Sequence, residues 1–143
     1  MPNATFTHTA RTERPVGEVW EALQREQTWA EIGPVDEVWS PVVVDGTLRS
    51  FAWRTTVGPT SYTGSATVRL AEPNRRMQLD LDASEIAGTL TADLDGAPGN
   101  GTAVTVTLEV SARGMLSTLF FPVVAEAIGS GLPRQVDHFA AAL

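Results

Sequence analysis

The C-terminal segment, residues 115–143, carries the pattern that most restricts how this chain can fold. Its apolar side chains recur at steps of three and four, which is the period of one face of a helix. They are Leu116, Leu119, Phe120, Val123, Val124, Ala127, Ile128, Leu132, Val136, Phe139 and Leu143. Because an apolar face of this length must be buried, we expect a sheet to curl around a long helix and to leave a pocket between the two.

Two prolines and two glycines weaken this helical pattern. Pro122 and Pro133 each lack the backbone donor that a helix interior needs, so each is expected to kink or interrupt the helix, unless Pro122 is its first residue. Gly129 and Gly131 disfavour the same stretch. The small residues indicate close packing on the sheet, a flexible gate over a cavity, or a simple break in the helix.

Composition limits the classes of protein to which this chain can belong. With 143 residues and a hydrophobic content of 43%, it is long and apolar enough for one folded domain. A net charge of −7 argues against nucleic-acid and anionic-membrane partners. The absence of cysteine excludes disulfides and thiolate metal sites, and only two histidines are present, so we expect no metal and no cofactor.

The sequence shows neither a signal peptide nor a membrane span. No basic segment followed by an apolar run opens the chain, and no apolar stretch approaches the ~20 residues that cross a bilayer. We therefore expect a cytoplasmic protein without stable membrane insertion. The residues leave the oligomeric state open, with a homodimer among the alternatives.

Alternation of apolar and polar residues predicts strands along most of the remaining chain. They cover residues 4–11, 35–39, 42–44, 47–57, 60–71, 76–82, 86–95 and 102–112. Short turns such as Asp45-Gly46 join them, which favours an antiparallel sheet covered on a single side. After the first strand, apolar spacing predicts a helix over residues 15–24, and Thr28-Trp29-Ala30-Glu31 has the form of a capping box that would begin a second helix.

Three motifs, in their order along the chain, resemble the START-like superfamily of helix-grip proteins, which includes polyketide cyclases, lipid carriers and Bet v 1-type proteins. Pro15-Val16-Gly17-Glu18-Val19-Trp20 is similar to that family's helix start, Thr28-Trp29-Ala30-Glu31 to its second short helix, and Gly101-Thr102 to the step before its last strand. The resemblance implies an α+β fold with a curved antiparallel sheet of about seven strands, two short helices and a long C-terminal helix. It also implies a single ligand-binding domain over residues 1–143.

Two further segments are similar to the carbon monoxide dehydrogenase branch of this superfamily. They are Val57-Gly58-Pro59 through Gly64, and Gly114-Met115-Leu116. The chain departs from that branch at Ile32-Gly33-Pro34, which lacks its Pro-Gly step, and it shows no linker or apolar tail before Leu143. The uncharacterised actinobacterial polyketide cyclase/dehydrase relatives therefore resemble it more closely.

Three side chains are candidates for chemistry. His8 is either a base in the cavity or a core histidine satisfied by a neighbour. Tyr62 has a hydroxyl that can orient a carbonyl group. Arg49 shares the predicted inner face with the aromatic residues of its strand and would pair there with a carboxylate or enolate oxygen; a register shift of one residue would put Arg54 in that place and turn the aromatic residues outward.

The predicted function is the binding or carriage of a small hydrophobic molecule, such as a lipid, polyketide, isoprenoid or aromatic compound, between the sheet and the C-terminal helix. The side chains expected to line the site are Phe51, Trp53, Tyr62, Leu79, Leu81, Leu90, Leu108, Phe120, Val123, Val124, Ala127 and Ile128. Two alternatives stay open. One is a polyketide cyclase or dehydratase that uses the same cavity, with His8, Tyr62 or Arg49 as catalytic candidates. The other is a protein-interaction module whose cavity is collapsed.

Overall fold

The computed structural model of the chain describes residues 3–33, 35–96, 101–113 and 121–143. Seven strands form one sheet in the order β1-β7-β6-β5-β4-β3-β2, and every pairing is antiparallel. The elements are β1 (Asn3–Thr12), α1 (Val16–Leu23), α2 (Glu26–Ile32), β2 (Glu37–Val44), β3 (Thr47–Val57), β4 (Thr60–Glu72), β5 (Arg76–Ala83), β6 (Ile86–Gly96), β7 (Thr102–Ala112), α3 (Phe121–Gly129) and α4 (Leu132–Ala142). Only β1 pairs out of sequence order, with β7, because α1 and α2 carry the chain from one edge of the sheet to the other.

One face of this sheet is buried and the other is accessible. In β7 every second residue is buried from Thr102 to Ala112, while the residues between them stay partly or fully exposed. Strand β5 alternates in the same way, with Met77 and Leu79 fully buried. Because burial of each such apolar side chain is worth about 1.5–3 kcal/mol, the alternation fixes which face turns inward. The predicted antiparallel sheet, covered on a single side, is confirmed.

The C-terminal segment is helical, with an interruption at Ser130 and Gly131. The amide of Ser130 still donates to the Glu126 carbonyl at 2.9 Å, whereas the ladder of α4 begins at the Gly131 carbonyl. Pro133 lies in the first turn of α4, where its missing donor costs nothing, and Pro122 is the second residue of α3. The predicted interruption of the helix is confirmed, and residues 115–120 lie outside the described ranges.

Gly129 lets the end of α3 approach β1 closely. A Cβ atom at this position would lie 2.5 Å from three ring atoms of Phe6. Next to it, α4 packs against β1 and α2 through the buried side chains of Leu132, Val136 and Phe139. The interpretation that small residues permit close packing on the sheet is therefore supported at Gly129.

The connection between α1 and α2 differs from the predicted capping box. Thr28 lies inside α2, and its hydroxyl donates to the carbonyl of Ala22 at 2.6 Å. The indole of Trp29 donates to the carbonyl of Leu23 at 2.9 Å. Both carbonyls belong to the last turn of α1, where no helical amide remains to bind them. The capping-box prediction is wrong because these side chains close the first helix rather than open the second.

The Gly-Thr motif fastens the beginning of β7 to the end of β1. Gly101 has a φ angle of 75°, a conformation that other residues rarely adopt. The hydroxyl of the buried Thr102 donates to the carbonyl of Arg14 at 2.9 Å. This motif therefore fixes the point at which the chain leaves β1 for α1. No helix within the described ranges is long and apolar enough to cross a membrane.

Candidate ligand-binding site

An apolar cavity lies between the buried face of the sheet and α3. It is lined by Val35, Trp53, Thr55, Leu81, Ile86, Ala87, Gly88, Leu108, Val110 and Ile128. Trp53, Leu81, Leu108 and Ile128 are residues that the sequence predicted for the site. The cavity volume is about 20 Å³, which is room for about one water molecule. The structure thus brings part of the predicted lining together around a space much smaller than a small-molecule ligand.

Most of the other predicted lining residues belong to the surrounding core. The buried residues that do not border this cavity are Phe51, Tyr62, Leu79, Leu90 and Val124. Phe120 lies outside the described residues. These side chains form the wall behind the cavity, so they would meet a ligand only if the space became larger.

The prediction that Val123 and Ala127 face the interior is wrong. Val123 is 67% exposed, and Ala127 is exposed as well. The buried side of α3 consists of Phe121, Val124, Ala125, Ile128 and Gly129. Because the first turn of α3 carries no polar side chain, apolar periodicity alone could not fix the rotation of this helix about its axis.

The prediction that Arg49 faces the interior is also wrong, because a β-bulge interrupts the alternation of β3. Val42 and Val43 are adjacent on β2 but face residues of β3 that are two positions apart, so Arg49 is the extra residue of the bulge. Leu48 is buried in its place and Arg49 is exposed. Beyond the bulge the aromatic residues of β3 point inward, as predicted.

The alternative register, with Arg54 inward, does not occur either. Arg54 is exposed, and its Nη2 atom donates to a carboxylate oxygen of Glu37 at 2.6 Å. This pair joins β3 to the edge strand β2 on the accessible face of the sheet. Neither arginine of β3 therefore reaches the cavity.

Tyr62 is buried at the β4 position that pairs with Thr55 of β3. Burial raises the pKa of its hydroxyl above the ordinary value of 10.0, and the negative charge of Glu85 raises it further. Both effects disfavour the phenolate, so Tyr62 is a neutral hydroxyl near pH 7. It can orient a polar group but is a poor base.

We expect this raised pKa to be measurable directly, because Tyr62 is the only tyrosine of the chain. In an ultraviolet titration the phenolate of the folded chain should appear above the pH at which it appears in guanidinium chloride, where the midpoint returns to about 10. The stability linked to this group is complete below the unfolded pKa and is lost as the pH rises through the folded pKa. Glu85→Gln should lower the folded midpoint only in part, since burial is the larger cause. Equal midpoints in both states would contradict the assignment.

His8 is satisfied by a neighbour rather than free in the cavity. Its Nε2 atom lies 2.8 Å from an oxygen of Asp137, so the pair joins β1 to α4. The His8 side chain is about one quarter exposed and does not border the cavity. The geometry therefore supports the structural interpretation of His8, and the catalytic role remains a prediction.

Trp53 carries a feature that the sequence reasoning missed. It is 3% exposed, and its Nε1 atom has no hydrogen-bond partner among the described residues. The indole lies across Gly64, its partner in the sheet, since a Cβ atom there would come within 2.7 Å of the Trp53 Cζ2 atom. The signal in the sequence was the glycine at an inward position of β4, which leaves room for a large neighbouring ring.

The lining of the cavity holds no titratable side chain. Within the described ranges no group of three or more His, Asp and Glu residues is placed to hold a metal ion. A second hollow, a groove of about 580 Å³ on the accessible face of the sheet, is lined mainly by polar residues. The arginines that line this groove pair with its aspartates, as in Arg69–Asp80 and Arg113–Asp82. The small apolar cavity is therefore the better candidate for a ligand site.

Comparisons with known proteins agree on the architecture. The chain is similar to the Zhui aromatase/cyclase from Streptomyces sp. R1128, with a TM-score of 0.70, 16% identity, and coverage of 98% of this chain and 94% of that one. For a START superfamily protein from Mycobacterium smegmatis the TM-score is 0.68 and the identity 10%, over 96% of this chain and 97% of that one. For StfQ, a di-domain aromatase/cyclase of the steffimycin biosynthetic pathway, the values are 0.65 and 14%, and the match covers 98% of this chain but 51% of that one.

No protein-family model matches the chain, and no curated protein matches it in sequence. The structural likenesses nevertheless extend over nearly its whole length, and they agree with the sheet order and the helices described above. The chain therefore has the START-like fold of the polyketide cyclase/dehydrase type.

Proposed function

We propose that this chain binds a small hydrophobic molecule between the sheet and α3. The observation that carries the proposal is the cavity, whose lining is apolar apart from Trp53 and Thr55 and holds no charged group. Such a lining favours apolar compounds, because a charged ligand would lose its hydration without gaining a partner. Two structural neighbours are named as aromatase/cyclases, which favours an aromatic or polyketide-like ligand within this class.

The ligand must enlarge the cavity in order to enter it. The present volume is about 20 Å³, and α3 is the movable wall, since the break at Ser130 and Gly131 separates it from α4. Displacement of α3 would leave the packing of α4 and the pair between His8 and Asp137 in place. Burial of about 300 Å² of ligand surface would contribute roughly 7 kcal/mol, from which the cost of this displacement is subtracted.

A pair of neighbouring substitutions on α3 tests the proposal. Ile128 borders the cavity, whereas Ala127 is exposed on the other side of the helix. We expect Ile128→Trp to weaken the binding of naphthalene at least tenfold, because the indole occupies the space that the ligand needs, and Ala127→Trp to leave it unchanged. Binding is measured by NMR chemical-shift titration, with native mass spectrometry of the purified chain to detect a ligand carried from the cell. Equal effects of the two substitutions would place the ligand elsewhere.

The second candidate is a protein-interaction module with a closed interior. It is favoured by the small cavity and by apolar side chains exposed on the edge strand β2, namely Trp39, Val42, Val43 and Val44. This candidate predicts that naphthalene does not bind and that no small molecule accompanies the purified chain. The cyclase alternative needs a proton-transfer group at the ligand, and the described lining contains none.

A further inference from the structure

The unpaired donor of Trp53 says more about the ligand than the apolar lining does. A buried N–H group without an acceptor is unfavourable, and such groups are rare in folded proteins. The indole of Trp29 is equally buried, yet it donates to the Leu23 carbonyl at 2.9 Å. The fold therefore satisfies one buried indole with its own backbone and leaves the other, at the cavity, without a partner among the described residues.

The position of this donor is fixed by its surroundings. The Cζ2 atom of Trp53, which lies on the same side of the ring system as the N–H group, packs against Gly64 so closely that a Cβ atom there would be 2.7 Å away. The Trp53 side chain is 97% buried, from an exposed fraction of 3%. A donor held in this way cannot turn to solvent when a ligand arrives, so its acceptor must come from the ligand or from a trapped water.

Resting on the proposed function, we infer that the ligand presents a neutral oxygen acceptor, a ketone or quinone carbonyl, to the Nε1–H group of Trp53. Indole nitrogen donates only, so an amine or another N–H group at this point would face a donor with a donor. A carboxylate would also accept, but the lining provides no cation to balance its charge. A trapped water is a poor substitute, because an apolar lining offers it few of the partners that ordered waters need.

Benzophenone and its alkene analogue, in which a CH₂ group replaces the carbonyl oxygen, test this inference as a pair of equal shape. Their dissociation constants are measured for the native chain and for Trp53→Phe. We expect the preference for the ketone over the alkene to be about tenfold greater in the native chain than in the variant. Loss of ring volume in Trp53→Phe affects both compounds alike, so the ratio isolates the hydrogen bond.

A measurement on the native chain guards against a variant that does not fold. The indole N–H resonance of Trp53 should move downfield in the benzophenone complex and much less in the alkene complex, while that of Trp29 stays in place because its acceptor is internal. If both compounds bind and neither the ratio nor the Trp53 resonance distinguishes them, binding stands and the carbonyl acceptor is overturned. If neither compound binds, the proposed function falls and this inference falls with it.

Discussion

Replacement of Gly101 by alanine is expected to reduce the free energy of unfolding by about 3–5 kcal/mol. Gly101 has a φ angle of 75°, which by itself costs alanine about 1–2 kcal/mol. A Cβ atom there would also overlap the carbonyl oxygen of Thr12 and lie 2.9 Å from the Cα atom of Glu13. Because both are backbone atoms, no side chain can rotate away, and the start of β7 must separate from the end of β1.

Gly46 provides the matched control for this substitution. Its φ angle is 77°, almost the same, but a Cβ atom there would meet nothing within 4 Å. We therefore expect Gly46→Ala to cost only the backbone term of about 1–2 kcal/mol. Urea unfolding followed by circular dichroism measures both variants. Equal losses would mean that the contact between Gly101 and β1 does not stabilise the fold.

Trp29→Ala is expected to have the second large effect, a loss of about 3–5 kcal/mol of unfolding free energy. Trp29 is 1% exposed, and its removal leaves a large void between α1, α2 and the sheet. It also leaves the carbonyl of Leu23 without its hydrogen bond from the indole. A buried carbonyl without a donor adds its own penalty to that of the void.

Trp39 is the control in this case, because it is the same residue type on the accessible edge strand β2, where it is 38% exposed. We expect Trp39→Ala to cost less than about 1 kcal/mol. Comparison of the two variants by urea unfolding separates burial from residue type. A Trp39→Ala variant as unstable as Trp29→Ala would contradict the assignment of Trp29 to the core.

Most of the sheet could be predicted from the sequence because one of its faces is buried. Period-two alternation is unambiguous in β7, where the predicted range 102–112 is also the observed one. The exception, Arg49, depends on how β2 pairs with β3. Ser40 of β2 has a φ angle of 53° and Pro41 has no amide to donate, so the pairing is irregular there, and no pattern within β3 alone reveals the bulge.

The candidate site was less predictable than the fold. The rotation of α3 was ambiguous because Val123 and Val124 are both apolar, and only packing decides that Val124 is the buried one. The size of the cavity is a small difference between the interior volume and the volume of the side chains, which no local pattern records. The unpaired donor of Trp53 likewise depends on the absence of an acceptor among the described residues nearby, a property of three-dimensional packing.

The break at Ser130 and Gly131 separates the part of the C-terminal segment that anchors the fold from the part that borders the cavity. Substitutions on the inner side of α3, at Val124 or Ile128, can therefore alter what the interior accommodates without loosening the attachment of α4 to β1 and α2. Descendants of such a chain can diverge in ligand preference by single steps while they inherit one unchanged architecture.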